Sequence, residues 1–359
     1  MTATRNAAGW MAGIFGMGVG VAALVTTLVA GPLSPPPGAV APTYKTLTEV
    51  EPRTIISAAT TPGDADSQFV ISQPGSYYLA SNITGVAGKH GIRILSGGVT
   101  LDLNGFALRG VTGSLDGVSV PTFVTGVTIR NGTLKGWQNG VSANIDNGAI
   151  EDLRVDGCTR WGIRATNSFA LIIRNCEVFS NGSDTAAGDN RGGIFASSAI
   201  ITGCIARINQ GDGFRIDESS VASGCQSRQN VGRGYAIDTS STLIDSTASF
   251  NGLNGVRVFN NSVVRGMTVV GNGSNLAAPL TDRAGISVGG QLTRIEGNSV
   301  SSNQGAGIAF TSTSNSATGN WLGGNAAGAI TGAAGNAVGP LVGAAALAGA
   351  TSPGANFVP

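Results

Sequence analysis

Carboxylates and arginines gather in one short stretch of the sequence, NQGDGFRIDESS at 209–220. It contains Arg215, Asp217 and Glu218, and Asp238 follows Asp217 after a further 21 residues. Two neighbouring carboxylates can act as a general acid and base, or they can share a cation such as Ca²⁺. A guanidinium group beside them can neutralise an anionic substrate group. Whether these residues act together depends on the elements that position them.

The composition narrows the class of protein. Of the 359 residues, 11% are charged and the formal net charge is +1. These values exclude a disordered chain and an electrostatic nucleic-acid binder. The 56 glycines indicate many tight turns. The single histidine, His90, argues against a His-based metal site or a catalytic triad.

The N-terminal residues have the pattern of an export segment. Arg5 precedes an apolar stretch from Ala7 to Ala30. Residues 1–30 predict a secretory signal peptide, with an uncleaved membrane anchor as the alternative. The segment GPLSPPPGAVAP at 31–42 predicts a Pro-rich, extended spacer. We therefore expect a secreted, periplasmic or cell-surface protein that contacts a membrane only through an uncleaved N-terminal segment.

A tetrapeptide, glycine-apolar-any-apolar, recurs along most of the chain. It runs from GIRI at 91 to GAIT at 328, with a period near 21–22 residues and two insertions. Segments such as VTLDLNG at 99–105 alternate apolar and polar residues, which predicts short strands. Three strands and three turns fit in one repeat. The pattern predicts a parallel β-helix of about eleven coils, stacked about 4.8 Å apart.

Aligned repeats predict columns of equivalent side chains. The first and third residues after each repeat glycine are apolar and should face the core. One turn should carry a ladder of stacked asparagines: Asn181, Asn209, Asn230, Asn251, Asn272 and Asn303. A further column holds Cys176, Cys204 and Cys225, which we interpret as small core residues, although their spacing and export would also allow a disulfide. Cys158 has no evident partner.

These features resemble the right-handed parallel β-helix repeat proteins of the pectate-lyase-like superfamily. The phrases GVTLDLNGFALRG and GVTIRNGTLKGW carry the resemblance, together with the ladder and the repeats, over roughly 69–340. We expect an all-β, right-handed parallel β-helix over 89–340. An N-terminal cap over 43–88, with a hairpin around Pro74 and Gly75, and a C-terminal cap or tail over 341–359 should close its ends.

The resemblance leaves the activity open. The superfamily includes polysaccharide lyases, glycoside hydrolases and epimerases, and also tailspikes and non-catalytic surface proteins. The polygalacturonase-like motifs N-T-D, D-D and G-H-G are absent, RID at 215–217 replaces R-I-K, and the epimerase motif Y-D-P-H is missing. A lyase-like site with clustered Asp residues needs no such linear motif.

Outward positions of neighbouring coils predict a site across two coils. Asp217 and Asp238 should stack about 5 Å apart on one exposed face. Insertions at 181–194 and 272–286 lengthen the same turn in two coils and should wall a groove there. We predict Asp217, Asp238 and Arg215 as catalytic residues, and Asp217 with Asp238 as ligands of Ca²⁺. The predicted substrate-binding residues are Arg164, Phe195, Arg257 and Phe259.

Two functions remain open from the sequence. The first is an exported protein that binds a polysaccharide, most simply an acidic one, and cleaves it as a lyase or a hydrolase. The second is a non-catalytic structural or adhesive protein of the cell surface or envelope. In the second case the alternating Arg and Asp residues are a solvated surface whose cross-strand pairs contribute only a few tenths of a kcal/mol to about 1 kcal/mol each.

Overall fold

The computed structural model describes residues 51–359, apart from 189, 350 and 351. The unit from Pro52 to Pro359 contains the repeats. The predicted signal peptide or anchor and the Pro-rich spacer lie outside the described residues. Within the described ranges, no helix is long and apolar enough to cross a bilayer.

The described chain winds into a parallel, three-sided solenoid of about 13 turns. The first side is a sheet of twelve strands in chain order, each pairing in parallel with its equivalent one coil away. Its strands are Ser67–Ile71, His90–Ile94, Val118–Thr125, Val141–Asp146, Trp161–Ala165, Gly192–Ser197, Asp212–Asp217, Tyr235–Ile237, Val256–Val258, Ile286–Val288, Ile308–Phe310 and Ile330–Thr331.

The other two sides form two parallel series of strands that share two long members, Thr128–Lys135 and Ala149–Asp156. The second side also contains Thr54–Ile55, Gly75–Tyr78, Val99–Asp102, Leu171–Arg174, Ala199–Thr202, Val221–Ser223, Thr242–Ile244, Val263–Arg265, Arg294–Glu296, Ser316–Thr318 and Ala337–Val338. The third contains Ile83–Thr84, Ala107–Arg109, Glu177–Phe179, Ile205–Arg207, Gln226–Arg228, Thr247–Ser249, Thr268–Val270, Ser299–Ser301, Trp321–Gly323, Leu341–Gly343 and Asn356–Val358. Short 3₁₀ helices are found at Thr185–Ala187, Leu280–Asp282 and Ala344–Gly349.

The predicted asparagine ladder is confirmed. Asn209 Nδ2 donates to Asn230 Oδ1 at 2.9 Å, and Asn230 Nδ2 donates to Asn251 Oδ1 at the same distance. The same bonds run from Asn181 to Asn325, and every predicted rung is buried. The repeat glycine makes room for the ladder. A Cβ on Gly255 would come within 2.8 Å of both Asn272 Nδ2 and the carbonyl oxygen of Gly285.

The core contains the predicted inward columns. Both apolar positions of the repeat are buried in every coil from 91 to 310, and the rings of Phe214 and Tyr235 stack with centroids 4.9 Å apart. All four cysteines are buried free thiols. Burial raises the pKa of the Cys158 thiol to about 12. Cys158 also occupies the rung before the asparagine ladder, because its N–H donates to Asn181 Oδ1 at 2.9 Å.

The solenoid begins earlier than the repeat motif indicates. The hairpin prediction around Pro74 and Gly75 was wrong, because Ser67–Ile71 and Gly75–Tyr78 pair in parallel with strands of the next coil on two different sides. The repeat motif does not identify this coil, because Gln68 occupies the position of the repeat glycine. The pairing of Phe69 with Ile92 establishes this alignment. The number of turns therefore exceeds the eleven predicted coils.

Candidate functional site

The strand Asp212–Asp217 places two charged side chains on the outer face of the first sheet. Its inward residues, Phe214 and Ile216, are fully buried, so Arg215 and Asp217 point outward by alternation. Asp238 follows the neighbouring strand, and its N–H donates to the carbonyl of Ile216 at 2.8 Å. Asp217 and Asp238 therefore lie on adjacent rungs, as predicted, about 4.8 Å apart along the axis.

The two aspartates line a groove across neighbouring coils. We call it the arginine groove, and its volume is about 220 Å³. The lining residues are Asp212, Arg215, Asp217, Arg233, Ala236, Ile237, Asp238, Arg257 and Phe259. Five predicted site residues are thus brought together: Arg215, Asp217, Asp238, Arg257 and Phe259.

The two carboxylates of the pair differ in their surroundings. Burial raises the pKa of Asp217, Arg215 opposes the shift, and the negative charge of Asp238 adds to it. The Nε of Arg215 lies 3.6 Å from Asp217 Oδ1. Asp238 Oδ1 instead accepts hydrogen bonds from the N–H of Thr239 at 2.9 Å and from its hydroxyl at 3.2 Å. The pair thus combines a carboxyl that retains its proton more readily with one held by hydrogen bonds.

The arginines of the groove are held in different ways. Arg215 is bound to Asp217, and its guanidinium carbon lies 4.6 Å from the centre of the Phe195 ring. Arg233 pairs with Asp212 at 3.4 Å. The Arg257 guanidinium lies 4.9 Å from the centre of the Phe259 ring. In the part of the chain that the structure describes, no carboxylate lies within 4.0 Å of Arg257, so this cation is available to a ligand.

Comparisons with known proteins identify the fold. The sequence matches no protein-family model and no curated protein. Among solved structures, the chain is similar to a tailspike protein mutant of E. coli bacteriophage HK620, with a TM-score of 0.59 and 13% identity over 86% of this chain and 67% of that one. It is also similar to the A-modules of the mannuronan C-5 epimerases AlgE4 and AlgE6 of Azotobacter vinelandii. Both have a TM-score of 0.53 and 16% identity, over 72% and 79% of this chain and 89% of each module.

The protein is a right-handed parallel β-helix. The fold that the sequence resemblance implied is confirmed. At 13–16% identity the similarity shows a shared architecture and assigns no activity to this β-helix.

Two predicted substrate-binding residues of the β-helix do not line the groove. Phe195 lies in the same outward column as Arg215, one coil before it, but its side chain is only 8% exposed. The ring of Trp161 packs against it at 5.2 Å and Arg215 covers it from the next coil. Phe195 therefore supports Arg215 and offers no face to a sugar. Arg164 pairs with Phe195 in register, and its charge acts on Asp116.

The two insertions flank the groove without lining it. In the first, Asn190 accepts a hydrogen bond from Trp161 Nε1 at 3.0 Å. In the second, the carbonyl of Thr281 accepts from Asn254 Nδ2 at 2.7 Å. Trp161 and Asn254 lie in the same column as Asp212, on either side of it along the axis. The insertions thus mark the two ends of the region, and their described residues lie outside the groove lining.

The Asp212–Arg233 pair is part of the site and was missed by the sequence reasoning. Asp212 Oδ1 accepts from the N–H of Arg233 at 2.7 Å, in addition to the ion pair. Each residue immediately precedes a repeat glycine, Gly213 or Gly234. Aligning that position across the coils would have revealed a third outward column.

The donor atoms give little support for the predicted Ca²⁺ site. Ca²⁺ takes about six to eight oxygen ligands. Asp217 is bound to a guanidinium group, and one oxygen of Asp238 is occupied by Thr239. Among the described residues, no group of three or more acidic, histidine or cysteine side chains could hold a metal ion. The Ca²⁺ assignment stays a prediction, and no chemical step below depends on it.

Proposed function

We propose that the arginine groove binds a polysaccharide with anionic sugars and that Asp217 and Asp238 hydrolyse one of its glycosidic bonds. The observation that carries the proposal is the stacked carboxylate pair, in which burial raises the pKa of one member. An acid with a raised pKa beside a second carboxyl group is the arrangement that glycosidic-bond cleavage requires. The epimerase modules, which are named for action on mannuronan, support a carbohydrate ligand as an analogy of fold alone.

The proposed roles follow from the two environments. Asp217 donates a proton to the glycosidic oxygen, and Asp238 attacks the anomeric carbon as the carboxylate. Water then releases the sugar from Asp238 while Asp217 takes back a proton. Retaining enzymes hold their two carboxyl groups about 5–5.5 Å apart, a separation that side chains on adjacent rungs about 4.8 Å apart can adopt. We therefore expect the anomeric configuration to be retained, which proton NMR of the first product measures.

In this proposal the arginines bind anionic groups and do not act as bases. An arginine that acts as a lyase base must first lose its proton. Arg215 instead forms an ion pair with Asp217 at 3.6 Å and a cation–π contact with Phe195. We therefore assign Arg215 to holding Asp217 and neutralising a substrate, and Arg257 to binding an anionic sugar. Export of the protein belongs to the same proposal, since such substrates lie outside the cell.

The test is an activity screen of pectate, alginate and neutral glycans, with and without Ca²⁺. We expect new reducing ends without the ultraviolet absorbance of unsaturated products. Asp217→Asn should lower the rate about 10²- to 10⁴-fold, the typical contribution of acid–base catalysis, and Asp238→Asn should lower it at least as much because it removes the nucleophile. Asp245→Asn, an exposed carboxylate on the second side, is the matched control.

Each other outcome has a distinct meaning. Unsaturated products would show that the protein is a lyase and not a hydrolase. Full activity in the Asp217→Asn, Asp238→Asn double variant would refute the site. Binding without cleavage would favour an adhesive protein, and no binding to any glycan would favour a structural one.

A further inference from the structure

A second depression meets the arginine groove at the carboxylate pair. We call it the hydroxyl pocket, and its volume is about 340 Å³. It is lined by Thr166, Asn167, Ser168, Phe169, Ser197, Ser198, Asp217, Glu218 and Asp238. Asp217 and Asp238 line both depressions. A chain molecule bound across the pair would therefore place one sugar in the groove and its neighbour in the pocket.

The two depressions differ in charge. Three arginines line the arginine groove, and Arg257 is free of a described carboxylate partner. Neither lysine nor arginine lines the hydroxyl pocket, whereas Glu218 adds an exposed carboxylate to the shared pair. A uronate in the pocket would meet three carboxyl groups without a compensating cation among its lining residues. A neutral sugar would instead meet hydroxyl and amide groups that can exchange hydrogen bonds with it.

The hydroxyl pocket also has an aromatic wall. Phe169 is 58% exposed, and Phe123 packs edge-on against it with ring centroids 5.8 Å apart. The N–H of Phe169 donates to the carbonyl of Ile145 at 3.1 Å, which fixes the backbone beneath the ring. Phe123 is itself 54% exposed, so the two rings form a small apolar patch at the edge of the pocket. An exposed ring face beside hydroxyl groups suits the apolar face of a neutral pyranose.

We propose that the hydroxyl pocket is a subsite for a neutral sugar, so that the ligand is a heteropolysaccharide with a neutral sugar linked to an anionic one. This inference rests on the proposed function, because it assumes that the arginine groove holds the anionic sugar. The bond that crosses from groove to pocket is the one that Asp217 and Asp238 would cleave. Homopolymers of uronate would then be poor ligands, because every sugar that enters the pocket carries a negative charge.

The test uses the full chain on a glycan array that carries three classes: uronate homopolymers, neutral glycans, and glycans that join neutral and acidic sugars. We expect the strongest binding in the mixed class, about tenfold or more above the other two. Strongest binding to uronate homopolymers overturns the neutral subsite and leaves the proposed function intact. Strongest binding to neutral glycans, or no binding at all, overturns the proposed function and this inference with it.

Two variants of exposed residues test the pocket directly. Glu218→Lys should raise binding of uronate homopolymers about 1.5-fold to fivefold, the range of an exposed ion pair. Asp66→Lys, an exposed carboxylate in the first coil, should leave it unchanged. Phe169→Ala should weaken binding of mixed glycans about threefold to tenfold, as expected for loss of one ring contact. Phe250→Ala, which removes a similarly exposed ring at another corner, is its control. Equal effects of a variant and its control would overturn the subsite.

Discussion

The asparagine ladder and the arginine groove are built by the same operation and have opposite characters. In both, equivalent positions of successive coils stack about 4.8 Å apart. Inside, Asn209, Asn230 and Asn251 repeat one residue type, and each amide bonds to the next. Outside, the column that contains Arg215 changes its residue type at every coil of the groove, with Phe195 on one side and Ala236 on the other.

This contrast shows that stability and recognition require different patterns of residues in a stacked column. A repeated buried amide satisfies every donor and acceptor along the axis, and its loss leaves polar groups unpaired in the core. An exposed column pays no such penalty when its residues vary, because water solvates them. Specific chemistry is therefore expected where an outward column departs from repetition, as between the two insertions. Three changes test this separation.

The largest expected effect is on stability, from Asn230→Ala. Asn230 Nδ2 donates to the carbonyl of Ala206 at 3.1 Å and to Asn251 at 2.9 Å, and its Oδ1 accepts from Asn209. Removing this amide leaves several buried groups without partners. We expect the free energy of unfolding to fall by about 2–4 kcal/mol, measured by urea denaturation.

Asn144→Ala is the matched control for the ladder. Its amide makes an exposed hydrogen bond to the carbonyl of Pro121 at 2.9 Å. We expect a change of less than about 1 kcal/mol. If the two variants lose equal stability, the ladder has no special role in holding the coils together.

A smaller effect is expected on binding, from Arg257→Ala. This guanidinium lines the groove with no described carboxylate within 4.0 Å, so a ligand anion can pair with it. A hydrogen bond to a charged group contributes about 1.5–3 kcal/mol, which is roughly a tenfold to hundredfold loss of affinity for an acidic glycan. Isothermal titration calorimetry measures the affinity.

Arg265→Ala is the control for charge. Arg265 is exposed on the second side, at the end of the strand that follows Arg257 in the chain. It should leave both affinity and stability unchanged. A parallel loss of affinity in the two variants would mean that net charge, and not the groove, attracts the glycan.

The smallest effect is the pH dependence caused by Asp217. Its pKa is raised in the folded protein, mainly by burial, so the folded state holds the proton more tightly than the unfolded state. Stability should therefore fall as the pH rises from about 4, the usual pKa of an aspartate, through the raised value. Relative to Asp217→Asn, the wild type should lose stability across this window in urea denaturation.

The size of the pH effect should be small, since the Asp217 side chain is 25% exposed. Asp245→Asn serves again as the control for a solvated carboxylate. A wild type that gains stability over the variant with rising pH would show that the pairing with Arg215 outweighs burial, and Asp217 would then be a poor general acid.

The repeat spacing predicted which residues of the site stack on one another, but not all of their contacts. Asp217 and Asp238 were placed on adjacent rungs because a constant period of 21 residues puts equivalent positions above one another. The role of Phe195 was not predicted correctly, because Trp161 from the previous coil and Arg215 from the next one cover its ring. The Asp212–Arg233 pair was missed because the position immediately before the repeat glycine was not aligned across the coils.

The sequence by itself determined the parallel β-helix, the ladder and the inward or outward direction of the residues that directly follow each repeat glycine. These features depend on the alternation of side chains along a strand and on a repeat that can be recognised directly in the sequence. Only the tertiary structure decided which outward residues share a groove, which arginine is free and where the hydroxyl pocket joins it. Those properties depend on the reach of side chains between coils and on what covers them. Contacts between side chains depend on differences of a few ångströms in their positions, and the spacing of a sequence repeat does not specify such differences.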